Sequence, residues 1–363
     1  MDVRGAHATA ITRARAQRAP SAEPLYRAKA PLRVSFAGGG TDVPPFPERE
    51  GGLVLSATIN RYAHGTLRPR TDGRIKVESH DLGIALEYGA DEGVAYDGNL
   101  DLVKAAIRRV AQLEEPRGID LFLYTAAPPG SGLGASSALI VALTGLLKDY
   151  HKLSLTDYEI AQLAWQVERE DLGLSGGLQD QYAATFGGFN FIEFHADRVI
   201  VNPLRINPTT VLELESNLVL CFTGVTRAGD HIIEDQTARY ESSDAEALTG
   251  MRMQKELAIA MRDALLMGRL SHFGELLGVA WEHKKRMSPR ISTPVIDEAY
   301  AEAQAHGAIG GKVTGAGGGG FMLFYCLPGT RHRVVARLHE FGLTEAEFSF
   351  DQQGLRTWAY VEG

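Results

Sequence analysis

The chain has 363 residues, 44% hydrophobic and 23% charged, a globular composition in a length that exceeds one ordinary core. Two packed domains are therefore expected. A formal net charge of −8 lacks the basic footprint that nucleic acid requires, and no apolar run is long enough to span a bilayer, so neither nucleic acid nor membrane is an expected partner.

The first 25 residues carry Arg4, Arg13, Arg15 and Arg18 among alanines, without an apolar core segment, which excludes a secretory signal. They read as a disordered leader, with an organelle transit peptide as the lesser alternative. Order is expected from Tyr26. A strand over Lys29–Ala37 runs into the turn Gly38-Gly39-Gly40-Thr41-Asp42, and strands follow at Gly52–Asn60, Ala63–Pro69 and Arg74–Ser79. Asn99–Gln112 has the apolar spacing of a helix, and Ile119–Thr125 that of a strand. After Pro128-Pro129 a glycine-rich loop, Gly130–Gly134, leads into a helix with Leu139, Leu143, Leu146, Leu147 and Tyr150 on one face. Thr156 and Glu159 form a capping box for the next helix, which is expected to end at Gly173. Strands at Gly188–Phe194 and Leu218–Thr223, helices at Ala245–Met267 and Pro294–His306, a second glycine segment Gly315–Gly320 and a strand Phe321–Leu327 complete the pass. The two cysteines, Cys221 and Cys326, both fall in apolar strand-like runs, which fits buried thiols in a reducing cytoplasm better than a disulfide or a zinc site. The domain boundary is placed near residue 200, giving 26–200 and 201–363.

The segment Pro129-Gly130-Ser131-Gly132-Leu133-Gly134-Ala135-Ser136-Ser137 carries the strongest chemistry. Glycines let backbone N–H groups curl around an anion, and the helix that follows turns its positive end to the same place. No Gly-Lys-Ser/Thr follows, so this is not a Walker loop. A dinucleotide fingerprint matches only loosely, because prolines separate the loop from its strand. A plain helix cap at Ser136 is compatible with either reading.

This loop resembles the second motif of the GHMP kinases, Pro-x-Gly-x-Gly-Leu-Gly-Ser-Ser-Ala, the family of galactokinase, homoserine kinase, mevalonate kinase and phosphomevalonate kinase. Ala30–Asp42 resembles the first motif of that family and Lys312–Phe321 the third, in the right order. The resemblance implies an α+β, two-domain fold, with an N-terminal domain like domain 2 of ribosomal protein S5 and a ferredoxin-like C-terminal domain. It implies ATP and Mg2+ as cofactors, the glycine loop as the phosphate site, and Ser136 with Glu168 as metal ligands. Because the interval from Glu168 to Asp180 is one residue longer than in the mevalonate kinase pattern, Glu170 stays open beside Glu168. Read without the family, Glu168 is a solvated carboxylate at a helix edge and Asp180 a capping residue.

By the same resemblance Asp180 is the general base and Arg33 the cation beside the transferred phosphoryl group. Gly39, Gly40, Thr41 and Asp42 would hold the sugar, with Gly317 and Gly318 of the third motif closing over the substrate or the phosphates. The triple glycine of the first motif and Trp281–Ser288 resemble the branch that phosphorylates D-glycero-D-manno-heptose 7-phosphate at C1. Arg227, Lys284 and Lys285 are then candidates for the sugar's own phosphate, although a Lys-Lys-Arg run is more often a solvated helix face. A kinase of a free sugar such as fucose, galactose or a uronic acid, a non-catalytic sensor of the same family, and a dehydrogenase resting on the Gly130 pattern are the alternatives. The partners expected are a sugar phosphate and ATP in the cytoplasm; the oligomeric state is not readable, with a homodimer left open.

Overall fold

A computed structural model describes residues 24–90, 92, 95–111, 117–226 and 229–361. The expected leader lies outside the described residues up to residue 23, and so does Arg227. Twelve strands are described: β1 (Leu25–Ala37), β2 (Gly52–Pro69), β3 (Arg74–Ser79), β4 (Ile84–Gly89), β5 (Ile119–Thr125), β6 (Phe189–Phe194), β7 (Val199–Pro203), β8 (Leu218–Phe222), β9 (Ala308–Val313), β10 (Phe321–Cys326), β11 (Thr344–Glu345) and β12 (Arg356–Tyr360). The helices among the described residues are α1 (Phe46–Glu50), α2 (Asp101–Ala111), α3 (Ala135–His151), α4 (Asp157–Gln166), α5 (Gln179–Phe186), α6 (Pro208–Asn217), α7 (Asp230–Glu241), α8 (Ala245–Leu266), α9 (Leu270–Met287), α10 (Pro294–Ala305) and α11 (Arg331–Glu340).

The first sheet has eight strands in the order β12-β1-β2-β5-β3-β4, with β6 also on β2 and β7 on β6. Its pairs are antiparallel except β3 with β5. The second sheet is antiparallel, in the order β11-β8-β10-β9. The boundary expected near residue 200 falls inside β7. The change of sheet comes between Pro203 and Leu218, and β12 returns to the first sheet beside β1.

Where two strands were expected at 52–60 and 63–69, β2 is continuous. Its register against β1 shifts between Pro31 and Leu32, where Pro31 faces Tyr62 and Leu32 faces Ile59. Proline has no N–H to donate, so the partner strand bulges at Asn60 and Arg61 instead of breaking. α3 is buried along most of its length and forms the spine of the larger core through Leu143, Leu146 and Leu147, which that core shares with Met261 of α8 and Phe273 of α9. A second core lies between the other face of the second sheet and helices α10 and α11, and holds both cysteines' neighbours Val219, Met322 and Phe324. Cys221 and Cys326 are buried free thiols, as their apolar runs implied.

This layering sets the site. The loop after β5 and the turn between β9 and β10 come from different sheets and meet edge to edge. A Cβ on Gly132, whose φ is +83°, would stand 2.4 Å from the Thr314 carbonyl oxygen, so only glycine allows this approach. The Phe321 N–H donates to Ser131 O at 3.0 Å and closes the seam.

Candidate active site

The glycine loop ends at Gly134, which caps α3 in the left-handed conformation without any side-chain cap. The first N–H groups of α3 therefore face a cavity of about 290 Å³ lined by Gly130, Gly132, Ala135, Ser136 and Ser137. A helix end left open in this way attracts anions. Leu133 points into the core, and its carbonyl accepts the Arg33 N–H at 3.0 Å, fixing the loop to β1.

Asp180 lies in the first turn of α5 and lines the same cavity. Arg33, on β1 and buried, donates from Nε to Asp180 Oδ1 at 2.7 Å, approaches the same oxygen with Nη2 at 2.6 Å, and donates from Nη1 to Gly132 O at 2.5 Å. One guanidinium thus locks the carboxylate of α5 to the phosphate loop. Arginine suits this because its planar fork satisfies two acceptors at fixed angles.

Glu168 is buried, 1% exposed, on a single π-helical turn, Val167–Asp171, that extends α4. Such turns insert a residue and turn a side chain out of the regular helical stripe. Ser137 donates from Oγ to Glu168 Oε2 at 2.7 Å, and Gln181 Nε2 also donates to Oε2. Burial pushes the Glu168 carboxyl above its ordinary value, opposed chiefly by the charge of Arg169. The solvated helix-edge reading of Glu168 is corrected by this burial. Glu170, two residues on, points to the surface and pairs with Arg109 at 3.1 Å.

The opposite wall is built for polar groups. Asp42 is fully buried and accepts from Gly40 N at 3.0 Å and from Gln179 N at 3.1 Å. A Cβ on Gly177 would lie 1.9 Å from Asp42 Oδ2, so the loop before α5 closes onto this carboxylate only because residue 177 is glycine. Lys284 enters from α9, is 3% exposed, and donates to Gly315 O at 2.7 Å. Burial lowers its ammonium to about 8, with Asp42 and Asp180 raising it and Arg33 lowering it. Behind it Lys312, buried on β9, donates to Phe36 O at 3.2 Å, and burial together with the charges of Lys284 and Arg33 holds it well below its ordinary value.

Several residues assigned to the sugar from the sequence stand elsewhere. The Thr41 hydroxyl donates to Gly38 O at 2.8 Å and takes the Leu53 N–H at 3.0 Å, so it staples a turn to β2. Gly318 donates its N–H to Ile291 O, off the cavity wall, whereas Gly317 lines it. Lys285 leaves the cavity and pairs with Glu282 at 2.9 Å, because adjacent helical residues point about 100° apart. Gly39 is buried against Lys284, and Gly40 lines the cavity. The residues missed from the sequence are Gln179, Gln181, Gln236 and Arg169. Neutral amides carry no charge pattern, and the face that Arg169 takes depends on the π turn.

Beside the phosphate loop a second, apolar cavity of about 450 Å³ is lined by Leu82, Tyr96, Leu100, Leu102, Leu139 and Leu172, and shares Ala135, Ser136 and Leu174 with the first. This cavity is mainly apolar and adjoins the uncapped start of α3.

The GHMP kinases N-terminal domain model matches residues 101–188, and the GHMP kinases C-terminal model matches residues 261–342. D-glycero-alpha-D-manno-heptose 7-phosphate kinase of Campylobacter jejuni is 41% identical over 92% of this chain and 98% of its own. A solved D-glycero-D-manno-heptose 1-phosphate kinase from Bacteroides thetaiotaomicron is 38% identical with a TM-score of 0.77, over 92% of this chain and 98% of its own. Lactococcus lactis galactokinase, at 21% identity and a TM-score of 0.75 over 96% of this chain and 99% of its own, shares the fold. The chain belongs to the GHMP kinases.

Proposed function

We propose that the chain transfers the γ-phosphoryl group of ATP to the C1 hydroxyl of D-glycero-D-manno-heptose 7-phosphate, giving the 1,7-bisphosphate. The observation that carries this reading is the carboxylate of Asp180, tied by Arg33 to an uncapped phosphate loop and facing a polar wall, in a chain 41% identical to a heptose 7-phosphate kinase. The base of ATP would sit in the apolar cavity, and its phosphates would run over the loop into the polar cavity.

Asp180 would accept the proton of the attacking C1 hydroxyl, whose oxygen bonds to phosphorus as the bond to the β-phosphate oxygen breaks. Arg33 holds the carboxylate in register and sits beside the phosphoryl group in flight. Asp42, with Gly40, would accept hydroxyls of the sugar. Lys284 is a buried cation with no carboxylate within ion-pair distance among the described residues, which favours an acceptor that brings its own negative charge.

Mg2+ fits the residues present. Glu168 is a buried carboxylate without an ion-pair partner among the described residues, and it lines the same cavity as Ser136. No group of three or more ligating side chains lies together among the described residues, and Mg2+ bound with nucleotide needs none, since it takes one or two carboxylates with phosphate and water oxygens. Ser136 and Glu168 would hold it, and bound there it supplies charge neutralisation to the β- and γ-phosphates.

ADP release with Mg-ATP tests the proposal against a panel of D-glycero-D-manno-heptose 7-phosphate, mannose 6-phosphate, sedoheptulose 7-phosphate, galactose, fucose, glucuronate and mevalonate. Selective turnover of the heptose phosphate is expected. Turnover of a free sugar in its place would overturn the acceptor and leave the kinase standing.

A further inference from the structure

Glu168 carries an asymmetric set of contacts. Both of its described hydrogen bonds, from Ser137 Oγ and from Gln181 Nε2, fall on Oε2. Gln181 Nε2 also donates to Ser137 Oγ at 3.2 Å. The three side chains close a triangle, and each is at least nine-tenths buried: Ser137 at 2% exposure, Glu168 at 1% and Gln181 at 0%. They come from α3, the π turn and α5, so the triangle ties three elements together. Oε1 has no hydrogen-bond or ion-pair partner among the described residues, and Glu168 lines the polar cavity.

We propose that Gln181 is the positioning residue of the divalent-cation site: its amide fixes Glu168 through Oε2 and leaves Oε1 directed at the cation. This rests on the reading that Glu168 is a metal ligand. The chemistry of the amide matters. A lysine or arginine at 181 would neutralise the carboxylate and compete with the metal. An apolar residue would leave a buried Oε2 short of a donor. A neutral amide satisfies one oxygen and leaves the charge uncompensated. Its place also matters, because residues 180 and 181 are adjacent on α5 and face different directions. Asp180 turns to Arg33 and the cavity while Gln181 turns to α3, so one short helix sets the base and the metal carboxylate at a fixed separation.

The test uses Mn2+ as the probe, titrated by electron paramagnetic resonance into the full-length protein with saturating ADP, beside ADP binding in EDTA. Glu168→Gln should abolish tight Mn2+ binding. Gln181→Leu should weaken it about 10–100-fold, the usual effect of losing an outer partner of a metal ligand, with metal-free ADP binding unchanged. Wild-type Mn2+ affinity in Gln181→Leu, with Glu168→Gln inactive in binding, would overturn the positioning role alone. Unchanged Mn2+ binding in Glu168→Gln would overturn the metal reading and the proposal with it. If Gln181→Leu does not fold, Ser137→Ala removes one side of the same triangle. A smaller loss of Mn2+ affinity supports the proposal there, and none refutes it.

Discussion

Replacing Lys284 with methionine should make the protein more stable and less active. The side chain is 3% exposed, donates to Gly315 O, and has its ammonium lowered from the ordinary 10.5 to about 8 by burial. At about 1.4 kcal/mol per pKa unit, keeping it protonated in the native state costs about 3 kcal/mol. Methionine is nearly isosteric and removes that penalty, but it leaves the Gly315 carbonyl without its donor, which costs about 1–2 kcal/mol. The net expectation is a gain of about 1–2 kcal/mol in urea-monitored unfolding at pH 7. The sign follows from proton binding. Below pH 8 the native and unfolded states both hold the proton, and the full penalty applies. Between pH 8 and 10.5 the unfolded state holds more protons, so wild-type stability rises with pH relative to the variant. The gap between the two should therefore be flat below pH 8 and narrow above it. Turnover of the phosphorylated acceptor should fall at the same time, with the acceptor KM raised. A variant less stable than wild type at pH 7, or a gap that does not narrow by pH 9.5, would refute the reasoning.

Asp180→Asn should lower kcat by on the order of 10²–10⁴ in a coupled ADP assay while calorimetric binding of the acceptor persists, since the amide keeps the shape and loses the basicity. Gly177→Ala places a methyl 1.9 Å from Asp42 Oδ2 and should raise the acceptor KM by about tenfold or more with the ATP KM unchanged. Leu139→Trp fills the apolar cavity and should do the reverse, raising the KM for ATP and sparing the acceptor.

The parts of the site that the sequence displays are those whose chemistry is written in consecutive residues. The glycine loop is legible because its glycines alternate within five consecutive residues, and the capping box at Thr156 is present as read. Lys284 was only half legible. Phe273, Leu277, Ala280, Trp281 and Met287 form the buried stripe of α9, and Lys284 occupies that stripe where an apolar residue is expected. No helix over 270–287 is read from the sequence, and without the phase of α9 Lys284 and Lys285 look alike. The burial of Glu168 is hidden from the sequence for another reason. The π turn that follows α4 has no sequence signature, so the direction of residues 168–171 was set by tertiary packing that no local pattern records. Thr41 shows the converse: a residue inside a matching motif whose hydroxyl is bonded to the turn that carries it.

The charges that face the cavity are for the most part not balanced within the protein. Arg33 and Asp180 form an ion pair, whereas Glu168 and Lys284 have neutral partners among the described residues, and Lys312 behind them has a carbonyl. A core of this kind is unfavourable by itself, because each buried ion forfeits solvation that a hydrogen bond only partly replaces. On the proposed reading it would become favourable when ligands bring complementary groups: a divalent cation for Glu168, phosphate oxygens for Lys284 and the open end of α3, and hydroxyl donors for Asp42. Binding then relieves a deficit instead of adding to a finished structure, and the relief is greatest where charge moves during phosphoryl transfer. The same arrangement explains why glycines crowd the three loops. Charges this close act on one ligand only if the elements that carry them touch: a methyl group at Gly132 would strike the Thr314 carbonyl, and one at Gly177 the Asp42 carboxylate.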